Sequence, residues 1–212
     1  MNARLILARH GNTFKPEDEP VWVGARSDLP LVEKGLAQAH ALGVALQGAG
    51  ITPDVLIAGP LQRTRQTATI IAEILKIPAD DIRIDHRLTE IDYGSWEGKS
   101  TAAIIAAGDD AELAAWTKNS IFPASRGWKP SEAQIIADSL SMLAEAEDST
   151  SLIVTSNGIL RFFAHAAVNA RDFPDRKVAT GRYCVMECGE DGLWRVTQWN
   201  QPPENLVSKG EA

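Results

Sequence analysis

Three consecutive residues, Arg9, His10 and Gly11, are of types that together can carry phosphoryl transfer. They directly follow an apolar run at positions 5–8, which is typical of a buried strand. An imidazole at the mouth of such a strand, beside a guanidinium and a flexible backbone, is placed to attack a phosphorus atom. These three residues alone are a weak signal of phosphoryl transfer. The reaction also needs partner residues from elsewhere in the chain.

The second candidate group lies in the segment GPLQRTRQTA at 59–68, which follows a short apolar strand. Pro60 suits a first helical turn and predicts a helix that begins at about Leu61. A helix N-terminus favours an anion, and Arg63 adds a planar fork that matches two phosphate oxygens. We interpret Arg65 as a solvated charge.

The third candidate group is the segment LTEIDYGSWEG at 88–98, which is dense in acids, aromatic residues and glycines. Phosphoryl transfer from an alcohol needs a proton for the leaving oxygen, and a buried carboxyl group can supply it. We expect Glu90 to supply this proton, with Asp92 and Glu97 as rivals.

The ordered set of these segments resembles the histidine phosphatase superfamily, the phosphoglycerate mutase-like proteins. The matching stretches are LARHGNT at 7–13, GPLQRTRQTA at 59–68, LTEIDYGSWEG at 88–98 and VTSNGILR at 154–161, with a looser GARSDLPLVEKG at 24–35. The resemblance implies that His10 is the nucleophile and becomes phosphohistidine. It also implies that Arg9 and Arg63 bind the phosphoryl oxygens and that Glu90 is the proton donor.

One departure from the family pattern is Asn157, which stands in Ser156-Asn157-Gly158 where the family usually has a second histidine. A charged hydrogen bond contributes about 1.5–3 kcal/mol and a neutral one about 0.5–1.5, so the substitution costs on the order of 1–2 kcal/mol. That is roughly ten- to thirtyfold in rate. We expect weakened rather than abolished catalysis, with Asn12 and Asn157 among the phosphate-binding residues.

The expected reaction has two steps. His10 attacks phosphorus while Glu90 protonates the departing alcohol, and Glu90 then activates a water that hydrolyses the phosphohistidine. No metal and no other cofactor is expected, because the four histidines show no ligand spacing. Two alternatives stay open: mutase-type phosphoryl transfer, and a weakly active or non-catalytic protein that binds a phosphorylated ligand. The chain is shorter than we expect of the glycolytic mutases, which favours hydrolysis.

Length and charge narrow the class of protein. With 212 residues, the chain fits a single α/β domain over 1–212, with a cap insertion at about 98–130. A net charge of -7 and a pI near 5.1 argue against nucleic acid or an anionic membrane as partner. A small phosphorylated substrate is the expected partner, and it requires cations focused locally at the site. The N-terminal residues resemble neither a signal peptide nor a membrane span, so a cytoplasmic location is expected.

Alternating strands and helices predict a three-layer α/β/α fold, with a mostly parallel sheet and helices on both faces. Ligands of such sheets bind outside the carboxyl ends of the strands, so the candidate groups are expected to converge there. A homodimer contact or a free edge is expected at the last strands, and a mobile tail from Pro202. Cys184 and Cys188 are too far apart on one strand, about 13 Å, to form a disulfide. The predicted strands are 3–9, 54–58, 82–85, 151–155, 183–188 and 193–199, and the predicted helices 33–47, 61–75, 131–146 and 158–168.

Overall fold

The computed structural model describes residues 3–146 and 148–206, which contain a six-stranded, mostly parallel sheet. The strands have the spatial order β3-β2-β4-β1-β5-β6. β1, β2, β3 and β4 are parallel, whereas β5 and β6 form a terminal antiparallel hairpin. The bounds are Arg4–Arg9 (β1), Val55–Ala58 (β2), Ile82–Ile84 (β3), Thr150–Thr155 (β4), Tyr183–Cys188 (β5) and Trp194–Gln201 (β6). The fold is therefore the predicted α/β class.

Helices cover both faces of the sheet. In β1, Leu5 and Leu7 pack into the core shared with α5, α6 and the cap, whereas Ile6 and Ala8 pack into the core under α1 and α2. A strand buried on both sides has no polar alternation, which explains its continuous apolar sequence. The helices are Glu33–Gly48 (α1), Gln62–Leu75 (α2), Thr101–Ala106 (α3), Asp110–Asn119 (α4), Glu132–Glu145 (α5) and Asn157–Phe163 (α6).

Three details differ from the sequence-based predictions. Helix α6 ends at Phe163 and continues as a 3₁₀ turn over Ala164–Ala166, so it is shorter than predicted. Pro60 precedes the N-cap residue Leu61 rather than lying in the first turn of α2. The prediction of a mobile tail is wrong for Leu206, which packs into the core beside α1; residues 207–212 lie outside the described part.

Residues 98–130, the segment expected to form a cap, contain α3 and α4 and carry part of an aromatic cluster that joins this segment to the 88–98 loop. Neighbouring rings of the cluster have centroids 4.8–6.5 Å apart, mostly in edge-to-face contact. Such pairs add stability beyond their buried area. The cluster fixes the 88–98 loop against the cap. Its members are Trp22, Tyr93, Trp96, Trp116, Phe122 and Trp128.

Two further properties bear on the sequence-based expectations. Cys184 and Cys188 on β5 are both free, as predicted, and both are buried. Within the described ranges, no helix has both the length and the apolar character that crossing a bilayer requires.

Candidate active site

A cavity of about 300 Å³ lies where the residues that follow β1 and β4 meet. The convergence of distant segments that the sequence predicts is therefore present in the structure. All six predicted site residues line this cavity: Arg9, His10, Asn12, Arg63, Glu90 and Asn157.

His10 is buried directly after β1, with its backbone N–H donating to the Thr155 carbonyl oxygen over 3.1 Å. Its ring Nδ1 lies 2.7 Å from the Gly11 carbonyl oxygen. A carbonyl oxygen can only accept, so Nδ1 carries the proton and Nε2 keeps its lone pair. Burial lowers the pKa of His10 well below its usual value, and the charges of Arg9 and Arg63 lower it further. Both effects favour the neutral ring, whose Nε2 has a free lone pair.

The loop after His10 lies unusually close to α1. A Cβ atom on Gly11 would lie 2.2 Å from the Gly35 carbonyl oxygen, and one on Gly35 would lie 2.1 Å from the Asn12 carbonyl oxygen. The Gly11 N–H also donates to Thr67 Oγ1 on α2 over 3.2 Å. Glycine at both positions therefore lets two helices fix the loop that follows His10.

Two guanidinium groups lie at the cavity, that of the buried Arg63 and that of the half-buried Arg9. Arg9 donates from Nη1 to the Val178 carbonyl oxygen over 2.6 Å, and Arg63 donates from Nη1 to the Ser27 carbonyl oxygen over 2.7 Å. Burial lowers the pKa of Arg9 to about 10 and also lowers that of Arg63. Carbonyl partners hold these side chains without neutralising their charge. Arg65 is exposed, as predicted.

Glu90 is buried at the cavity beside the start of α6. Its Oε2 accepts from the Gly158 N–H over 3.2 Å, and its Oε1 accepts from the Ile91 N–H over 2.9 Å. A Cβ atom on Gly158 would lie 2.3 Å from Oε1, so glycine lets the carboxyl group approach the helix. Burial and the charge of Glu90 raise the pKa of Tyr93 well above its usual value, so the neighbouring phenol stays neutral.

The two rival acids lie outside the cavity lining. Asp92 and Glu97 both pair with Arg26, at 3.1 and 3.3 Å. Lys129 pairs with Asp92 through its backbone. Four other cationic residues do not line the cavity: Arg26, Arg126, Lys129 and Arg182.

The two asparagines are held by backbone groups. Asn157 Oδ1 accepts from the Val178 N–H over 2.8 Å, and its Nδ2 has no hydrogen-bond partner within the described residues. Nδ2 is therefore the donor that Asn157 can offer to an oxyanion in the cavity. Asn12 donates from Nδ2 to the Phe14 carbonyl oxygen over 2.7 Å, so part of its amide is already engaged.

Sequence reasoning missed several residues that line the cavity, among them Tyr93, Arg161 and Lys177. Arg161 had a usable signal, because it lies four residues after Asn157 and so on the same face of α6. Lys177 had none, since it lies in an irregular segment before β5. Among the residues that the structure describes, no group of three histidine, cysteine or acidic side chains is arranged to hold a metal ion.

Comparisons with known proteins agree with this geometry. A model of the histidine phosphatase superfamily (branch 1) matches residues 5–202. The 2,3-bisphosphoglycerate-dependent phosphoglycerate mutase of Bifidobacterium longum (strain DJO10A) is 32% identical over 128 residues, which cover 58% of this chain and 49% of the mutase. That of Methylobacterium sp. (strain 4-46) is 35% identical over 121 residues, 57% of this chain and 53% of the mutase. The chain thus spans about half the length of the curated relatives it matches.

Two solved structures share the fold. A mycobacterial glucosyl-3-phosphoglycerate phosphatase, in complex with inorganic phosphate, has a TM-score of 0.76 at 24% identity, over 96% of this chain and 100% of that one. The alpha-ribazole phosphatase of Shigella flexneri has a TM-score of 0.73 at 19% identity, over 99% of this chain and 100% of that one.

Proposed function

Since the chain belongs to the histidine phosphatase superfamily, we propose that it is a metal-independent phosphatase that hydrolyses a small phosphorylated metabolite through a phosphohistidine on His10. One observation carries the proposal. The hydrogen bond from Nδ1 to Gly11 leaves Nε2 of a neutral His10 free at a cavity that the guanidinium groups of Arg9 and Arg63 and the carboxyl group of Glu90 also line.

In the first step, Nε2 of His10 attacks phosphorus and the bond from phosphorus to the alcohol oxygen breaks. Glu90, in its protonated form, gives its proton to that oxygen. Arg9 and Arg63 neutralise the charge on the non-bridging oxygens, which is the main task in phosphoryl transfer. Asn157 donates a hydrogen bond to one of these oxygens.

In the second step, the Glu90 carboxylate takes a proton from a water molecule, whose oxygen attacks phosphorus. The bond from phosphorus to Nε2 breaks, and inorganic phosphate leaves. His10 returns to its neutral form and Glu90 is protonated again, so the cycle closes without an external acid or base.

A substrate panel tests this proposal. Phosphorylated metabolites and p-nitrophenyl phosphate are assayed with the wild type, His10→Ala and the exposed-position control His40→Ala. We expect at least a thousandfold loss of turnover in His10→Ala only, and an acid-labile phosphoryl group on the wild type after quenching. Equal background activity in the wild type and His10→Ala would rule out the enzyme.

Two other functions have specific support. Mutase-type transfer is supported by the names of the curated relatives. Phosphorus NMR of 3-phosphoglycerate and 2-phosphoglycerate would detect it, because interconversion without release of phosphate contradicts hydrolysis. A weakly active or non-catalytic phosphate binder is supported by the uncharged Asn157. That function predicts phosphate binding with no turnover across the panel.

A further inference from the structure

The cavity holds more positive charge than a phosphoryl group needs. Four cationic side chains line it, from Arg9, Arg63, Arg161 and Lys177, together with one carboxyl group, from Glu90. A phosphomonoester dianion balances the two guanidinium groups nearest His10, those of Arg9 and Arg63. Arg161 is buried as well. A buried charge without a counter-ion is unfavourable, so Arg161 indicates a further negative group in the substrate.

Arg161 lies on the cap side of the cavity rather than beside the nucleophile. Its Nη1 donates to the Trp116 carbonyl oxygen over 2.6 Å and to Ser120 Oγ over 3.2 Å, and its guanidinium carbon lies 4.6 Å from the centre of the Trp116 ring. The charges that lower the pKa of His10 are those of Arg9 and Arg63. Arg161 interacts electrostatically with Tyr93, Glu90 and Asp175, and its charge also lowers the pKa of Arg9. Its contacts with Trp116 and Ser120 place it at the cap side of the cavity, and Glu90 is the proposed proton donor to the alcohol, so Arg161 is a candidate ligand of the alcohol portion.

The guanidinium group of Arg161 has hydrogen-bond donors that no protein group satisfies within the described residues. Arg161 is only 2% exposed, and its Nε is buried without a hydrogen-bond partner. Within the described residues, Nη2 makes no hydrogen bond and no carboxylate pairs with Arg161. Nearby, the exposed Lys177 ammonium at the cavity rim also has no ion pair in the described part of the chain.

We infer that the alcohol portion of the substrate carries a second anionic group, such as a carboxylate, which Arg161 binds with Lys177 at the rim. A planar guanidinium fork fits a carboxylate through two parallel hydrogen bonds. A rim ammonium adds charge without fixed geometry. This inference rests on the proposed function and specifies its substrate class.

Matched substrates test the inference on the wild-type protein. O-phosphoserine is compared with O-phosphoethanolamine, and 3-phosphoglycerate with glycerol 3-phosphate, because the members of each pair differ in a carboxylate. We expect kcat/KM to be at least tenfold higher for the carboxylated member of each pair. Equal kcat/KM within each pair would overturn the inference while leaving the proposed phosphatase intact.

Variants of Arg161 and Lys177 test which of these residues causes the preference for the carboxylated substrate of each pair. Arg161→Met is expected to bring the ratio within each pair to about one, whereas Arg161→Lys keeps part of it. Lys177→Gln, at an exposed position, should reduce the ratio severalfold, and Lys34→Gln on the exposed face of α1 serves as its control. If Arg161→Met fails to fold, Lys177→Gln still decides, since an unchanged ratio there removes the rim lysine from the site.

Binding separates this inference from the proposed function. Calorimetry on His10→Ala measures Kd for the same four compounds without turnover. We expect at least tenfold tighter binding of the carboxylated member of each pair. Equal Kd values contradict a second anion site even if no compound is hydrolysed, whereas absence of turnover in the wild type contradicts only the phosphatase.

Discussion

At the scale of single residues, the protonation state of His10 links stability to pH. Its pKa is about 6.5 in an unfolded chain, and burial lowers it in the folded protein. As the pH falls below about 6.5, His10 binds a proton in the unfolded chain but not in the folded protein. Stability is then lost by up to about 1.4 kcal/mol per pH unit for one proton.

We therefore expect His10→Gln to weaken the acid sensitivity. Between pH 7.5 and 5.5, its free energy of unfolding should fall by about 1 kcal/mol less than that of the wild type. Urea denaturation at both pH values measures the difference, and His40→Gln on the exposed face of α1 is the control. Identical pH dependence of wild type and His10→Gln would show that the folded ring accepts the proton.

A second prediction at this scale concerns Asn157. Asn157→His offers a charged donor to the phosphoryl group, and we expect kcat to rise about tenfold, from about 1–2 kcal/mol of added transition-state stabilisation. Asn157→Asp can still accept from the Val178 N–H but places a carboxylate against the phosphate, so kcat should fall more than tenfold. Turnover of p-nitrophenyl phosphate checks both. Lower turnover in Asn157→His would mean that the cavity is shaped around the amide.

Site residues that lie in local sequence motifs were predicted better than site residues that only the three-dimensional fold brings to the cavity. His10 and Arg63 follow buried strands, and chain order alone places them at the ends of those strands. Arg26 and Arg126 look equally available in the sequence, yet each pairs with acids outside the cavity. Such pairing depends on three-dimensional neighbours. For the same reason, Lys177 could not be foreseen as a rim residue.

At the scale of secondary-structure elements, the contact between α1 and the loop after β1 positions His10. Gly35→Ala would put a Cβ atom 2.1 Å from the Asn12 carbonyl oxygen. We expect a loss of about 1–3 kcal/mol in the free energy of unfolding, as in overpacked cores, together with lower kcat. Chemical denaturation and activity measure the two effects.

The same helix offers a matched control. Gly48 ends α1, and a Cβ atom there would meet nothing within 4 Å. Gly48→Ala should stabilise the protein by about 0.5–1 kcal/mol because alanine loses less backbone entropy than glycine in a helix. If Gly35→Ala were as stable and active as Gly48→Ala, the close contact would not be what positions the loop.

The start of α5 could be predicted from local sequence, whereas the end of α6 could not. Ser131 caps α5, at the start of the helix predicted over 131–146, and accepts from the Gln134 N–H, because a serine side chain satisfies a free helical donor. The end of α6 was predicted five residues too late. Residues 158–163 are buried, so packing, which local sequence does not report, determines where this helix ends.

At the scale of the whole molecule, the three-layer fold encloses cations in a chain whose net charge is -7. Burial lowers the pKa of Arg9, Arg63 and Arg161 alike. Desolvation of these charges therefore opposes folding as long as no anion balances them. Stability and ligand binding are consequently coupled across the sheet and the cap.

This coupling predicts that inorganic phosphate stabilises the entire fold. At a hundred times its Kd, a ligand of the folded state adds about 2.7 kcal/mol, and about 2–4 °C of Tm follows from each kcal/mol in a protein of this size. We expect Tm to rise by about 5–10 °C in scanning calorimetry, with chloride at equal ionic strength as reference. Arg63→Ala should lose most of the shift, whereas Arg65→Ala, at an exposed position of the same helix, should keep it. An equal shift in both variants would place the stabilising phosphate outside this cavity.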